Sequence, residues 1–73
     1  MNSLIGIFKT DVQNKTQARL ITRLLKAGLF NIKINFDLDD CDKILRVEGL
    51  NELYSQEIIN DLGKLGFKCE VLN

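Results

Sequence analysis

An α+β fold is predicted by three features of the sequence. Apolar and polar residues alternate strictly from Phe30 to Leu38, the pattern of a strand with one buried face. Two stretches, from Ala18 and from Tyr54, repeat apolar residues at steps of three and four, the spacing of an amphipathic helix. Short β-forming runs stand near both ends of the chain, so the order reads strand, helix, strand, strand, helix, strand.

The first run, "LIGIFKT" from Leu4 to Thr10, is short and bounded by polar residues, which suits a strand better than a helix. A polar octet, "TDVQNKTQ", then leads into a helix from Lys15 on which Ala18, Ile21, Leu24, Leu25 and Gly28 fall in one stripe. Asn14 occupies an N-cap position. Gln17, three residues later, can reach back to it in a capping box, and Gly28 is a fitting stop. The alternating strand carries Ile32, Ile34 and Phe36 on one side and Lys33, Asn35 and Asp37 on the other. "DLDDCDK" breaks it with turn-forming acids and "KILRVEG" resumes a strand, so Phe30 to Glu48 reads as a β-hairpin. A second helix is expected from about Asn51, with Tyr54, Ile58, Ile59, Leu62 and Leu65 on one side and Gly66 closing it. "FKCEV" ends the pattern with Phe67, Cys69 and Val71 on one face. Joined by right-handed crossovers, these elements make a ferredoxin-like βαββαβ sandwich. Its four-stranded antiparallel sheet has the order four, one, three, two, with two helices on one face and a single domain over 1–73.

At 73 residues a single domain buries only roughly 60% of its unfolded surface, so a partner would add materially to its stability. Hydrophobic residues at 45% against charged residues at 27% are the composition of a folding chain, not of a disordered one. Ten basic residues balance ten acidic ones, which leaves no positive field for nucleic acid or an anionic membrane surface. "MNSLIGIFKTD" has no basic n-region, long apolar core or small-residue cleavage site, so a complete, cytoplasmic chain is expected. In that compartment Cys41 and Cys69 are expected as free thiols. The sequence has no His, which removes the usual general base and the commonest metal ligand. No nucleophile and base pair is found, so the reading is non-enzymatic and without a cofactor.

Three local patterns resemble the heavy-metal-associated domains of copper chaperones and metal-pumping ATPases over nearly the whole chain. "INFDL" resembles the end of that family's second strand, "LGKLGF" (Leu62 to Phe67) its closing motif, and Ile21 and Leu25 the helix spacing after its Met-x-Cys-x-x-Cys loop. On this register Val12 stands at the buried Met position, Asn14 at the first Cys and Gln17 at the second. The resemblance therefore implies the family's scaffold without its metal. Monovalent copper is soft and is held by two thiolates, and amide oxygens replace neither their softness nor their charge. The stretch "NFDLDDCDKILR" is also similar to one in bacterial proteins, with no function attached.

In the predicted topology Asp11, the hairpin tip and Lys64 lie at one end of the domain. Asp37, Asp39, Asp40 and Asp42 flank Cys41 there, and they read as a solvated turn, a docking patch for a basic partner, or a cation site. Cys69 replaces a small buried residue of the family pattern and reads as core. Lys15 and the helix N-terminus have no glycine beside them to admit a phosphate. On the first strand Leu4 and Phe8 point opposite to Ile5 and Ile7, and only one face of such a sheet is covered. Leu4 and Phe8 are assigned to the open face, with Ile44 or Leu72 beside them; with the parity reversed, Ile7 takes their place. Apolar surface left there would serve a weak homodimer or a protein partner. The preferred function is an interaction or scaffold module; the alternative is a metal-ion or small-ligand binding module using the Asp37 to Asp42 end.

Overall fold

The elements follow the expected order: β1 (Leu4–Thr10), α1 (Lys15–Gly28), β2 (Lys33–Asp37), β3 (Ile44–Leu50), α2 (Tyr54–Lys64) and β4 (Cys69–Val71). The computed structural model describes residues 4–29, 31–50 and 54–72, with only the backbone of Leu4, Leu50 and Tyr54. The expected strand start at Phe30, the helix start at Asn51 and the side-chain placements of Leu4 and Tyr54 lie outside the described residues.

All three neighbouring strand pairs are antiparallel, in the order β2-β3-β1-β4, which from the other edge reads four, one, three, two. β1 and β3 are therefore the interior strands, and β2 and β4 the edges. β2 is shorter than the alternating run that predicts it, because Asn31 takes a left-handed conformation (φ 59) and Leu38 already belongs to the turn. One irregularity marks the far end of β3. Leu4 lies opposite Leu50 and Ile5 opposite Glu48, so Gly49 is an extra residue in the ladder, at φ 84. A Cβ there would sit 2.5 Å from the Asn31 carbonyl oxygen, so the close passage of the α1–β2 connection requires glycine.

The core lies on one side of the sheet. Phe8, Leu45 and Val47 are fully buried with Ile21 and Leu25 of α1 and Ile58 and Leu62 of α2. Both helices thus close on the same face. Phe8 is the correction to the sequence reading: its relative exposure is 0%, and it belongs to the helix-covered face, not to an open one. The reason is its register. Phe8 lies opposite Leu45 and Gly6 opposite Val47, while Ile7 lies opposite Arg46 and Ile5 opposite Glu48. β1 is apolar on both faces and has no preference of its own. β3 does, because its alternate residues are charged, and it turns Phe8 inward. The open face then holds Ile5, 50% exposed, with the half-buried Ile7 and Ile44, and Leu72 beside them, its N–H donating to the Ile7 carbonyl at 2.8 Å.

The helix ends differ. At α2 the Phe67 N–H donates to the Leu62 carbonyl at 2.9 Å and the Gly66 N–H to Gly63 at 3.0 Å, with Gly66 at φ 87. These are the paired bonds of a left-handed glycine cap, which brings Phe67 back against the core. Gly28 does no such work: it is the last helical residue of α1, and the extended Leu29 caps it by donating to Leu25.

Because Phe8 faces the helices and Ile7 does not, Phe8→Asp is expected to unfold the domain by placing an unpaired carboxylate in the core. Ile7→Asp is expected to retain the wild-type far-UV circular dichroism, with a modest change in the urea midpoint. The opposite ranking of the two variants would reverse the assigned parity.

Candidate functional site

The loops at the α1 N-terminus and the β2–β3 turn meet through Thr10. Its N–H donates to the Asp42 carbonyl at 3.1 Å, its hydroxyl donates to the Lys43 carbonyl at 2.6 Å, and the same oxygen accepts from the Val12 N–H at 3.3 Å. A buried hydroxyl thus satisfies two backbone groups where β1 leaves the sheet, and the Thr10 N–H a third. Val12, the position the family resemblance assigns to a buried methionine, is fully buried in the core.

Asn14 is the N-cap of α1, its side-chain oxygen accepting from the Gln17 N–H at 2.9 Å. Gln17 reaches back one residue further than expected, to the Gln13 N–H at 2.8 Å and not to that of Asn14. Both amide side chains are therefore engaged in holding the loop against the first turn of the helix.

The aspartates divide into separate tasks. The Asp11 carboxylate accepts from the Lys68 N–H at 2.8 Å and fixes the entry to β4. Asp40 accepts from the Asp42 N–H at 2.8 Å, closing the turn locally, and the Lys43 ammonium donates to the Leu38 carbonyl at 2.9 Å. Asp42 pairs with Lys9 at 3.6 Å; both are well exposed, so the pair adds little stability. Of the predicted patch, Asp40, Cys41 and Asp42 bring one ligand atom each within 4.8 Å of one another. Asp11, Asp37 and Asp39 are not in that group.

A feature that the sequence reading missed lies beside α1. A groove of about 750 Å³ runs between this helix and the edge strand β2. Half-buried Ile34, Phe36 and Leu38 line it from the strand side, with Leu20, Arg19 and Arg23 on the helix side. Leu20 is 53% exposed on the rim of this groove. Lys15, Arg19 and Arg23 recur at four-residue steps, a signal present in the sequence that places them along one helix wall. A smaller hollow of about 380 Å³ lies by β4, lined by Lys9, Asp11, Lys68, Cys69 and Glu70. Burial, and secondarily the charge of Glu70, pushes the Cys69 thiol up to about 11. Both cysteines are free, Cys41 exposed and Cys69 half-buried against the core. No described helix is long and apolar enough to cross a membrane. No family model, curated protein or solved structure matches the chain.

Three outcomes follow. Asn14→Ala is expected to lower stability by about 1 kcal/mol in urea unfolding, the usual loss for an N-cap; an unchanged midpoint would contradict the cap. At pH 8, mass spectrometry after iodoacetamide treatment is expected to find Cys41 modified well before Cys69, whose thiolate fraction there is about one in a thousand. With the folded pKa raised from 9.0 to about 11, the folded state holds the Cys69 proton longer. Its contribution is complete below pH 9 and lost as pH rises towards 11, and Cys69→Ser removes that part of the alkaline loss.

Proposed function

We propose that the chain is a small, non-enzymatic cytoplasmic interaction module on a ferredoxin-like frame, similar in pattern to heavy-metal-associated domains and without their copper-binding thiols. The observation that carries this reading is the groove of about 750 Å³ between α1 and the edge strand β2, lined by exposed Leu20 and half-buried Ile34 and Phe36. Apolar side chains bordering an open sheet edge suit a second polypeptide, which supplies both backbone partners and apolar contact. The amides of Asn14 and Gln17 support the loss of metal transfer, because both are engaged with loop backbone. A second reading, a cation or small-ligand module, draws on the 4.8 Å grouping of Asp40, Cys41 and Asp42.

Cross-linking in cells that produce the protein is expected to recover a defined partner or a second copy, with Leu20→Glu reducing the yield severalfold. Recovery of neither would overturn the module reading. In competition with a chelator under reducing conditions, monovalent copper is expected to bind no more tightly than to a surface thiol. Stoichiometric tight binding by the Cys41→Ser, Cys69→Ser double variant would restore the metal function. Zinc binding that vanishes in Cys41→Ser would favour the second reading.

A further inference from the structure

β2 is an edge of the sheet, so one side of its backbone is unpaired within the described sheet. Its residues, Lys33-Ile34-Asn35-Phe36-Asp37, read as their own complement when the strand is turned around its middle. Lys33 then falls opposite Asp37, Ile34 opposite Phe36, and Asn35 opposite itself. We infer that β2 pairs antiparallel with β2 of a second copy in the register centred on Asn35, joining two four-stranded sheets into one of eight strands. This rests on the module reading above and names its partner.

The geometry supports this register in several ways. A two-fold axis perpendicular to the sheet keeps the helices of both copies on one side, so each residue meets one on its own face. Lys33 and Asp37 are exposed on the uncovered face, opposite Glu48 and Ile44 of β3. Across the axis they form two oppositely charged pairs, the arrangement that stabilises an antiparallel ladder. On the helix side, Ile34 of each copy meets Phe36 of the other, and the two grooves merge below the two α1 helices. Exposed Leu20 borders that merged space and loses water contact there.

Charge at longer range agrees. β2 runs parallel to β1, both being antiparallel to β3, and α1 returns from the end of β1, so Lys15 stands near the Asp37 end and Arg23 near the Lys33 end. The two-fold therefore brings Arg23 of each copy towards Asp39 of the other, on the helix side of the joined sheet. Among the described residues the one ion pair is Lys9–Asp42, which leaves these groups available for it. Registers shifted by one residue oppose inward-bonded groups with outward-bonded ones, and a shift of the axis to Asn35's neighbours runs the pairing into turn residues. The contact is short, so a weak, concentration-dependent dimer is expected.

Sedimentation velocity up to about 1 mM protein, in the presence of reductant, tests the proposal. Wild type is expected to dimerise. Lys33→Asp and Asp37→Lys are each expected to weaken dimerisation about tenfold, because each converts two attractive pairs into two repulsive ones, and the double reversal is expected to restore it. Thermal unfolding of each variant at low concentration controls for monomer stability, since Lys33→Asp also faces Glu48 within the chain. In a Cys41→Ser, Cys69→Ser background, Asn35→Cys is expected to form a disulfide dimer on oxidation, as only this register opposes the residue to itself. A wild type that stays monomeric overturns the proposal. So does a dimer insensitive to both reversals, which would leave the module reading intact through another face; recovery of a different protein on the groove would do the same.

Discussion

Because Phe8 lies opposite Leu45 and Gly6 opposite Val47, the pairing of β1 with β3 gathers the interior apolar side chains onto one face of the sheet. Everything else follows from that choice of face. The helices close on it from the same side, with Ile21, Leu25, Ile58 and Leu62 completing a core of fully buried groups. A domain of this size holds few such residues, each contributing roughly 1.5–3 kcal/mol of burial, so none is redundant. The same choice strands Ile5 and Ile7 on the uncovered face among charged neighbours.

The loop end shows how a site's shape persists for structural reasons. Thr10, Asn14 and Gln17 satisfy backbone groups that a strand-to-helix turn would otherwise leave unpaired, and Asp11 reaches across to the start of β4. Polar side chains with that many backbone partners are poor ligands, because binding a cation would cost the bonds they already make. Asp40 and Asp42 are in a similar position, one closing its own turn and the other facing Lys9.

At the opposite side of α1 the constraint is absence of cover. Ile34, Phe36 and Leu38 stay half-buried beside α1, which leaves the groove and an edge whose flanking charges have no ion-pair partner among the described residues. Edge strands commonly carry charge to discourage association. Here the charges stand at the two ends of the strand with opposite sign, an arrangement that discourages most partners and suits a reversed copy of itself.

Much of the fold was legible locally. The alternation through β2 identified its buried face, the Asn14 cap and Gly66 stop marked helix ends, and the element order led to the sheet order. Each depends on contacts within a few residues, or on a polar side that must face water. Gly28 misled because a glycine also fits in the last helical turn. The orientation of β1 was not legible: Leu4 to Phe8 is apolar on both faces, so its period carries no direction, and only the charged alternate residues of its partner β3 decide that Phe8 is inside. The use of Asp11 as acceptor for the Lys68 N–H, and the exposure of the Lys33 to Asp37 edge, likewise depend on residues distant in the chain. A sequence determines which side chains seek burial; which of them share a face, and which strand is left without a neighbour, is decided when the strands pair.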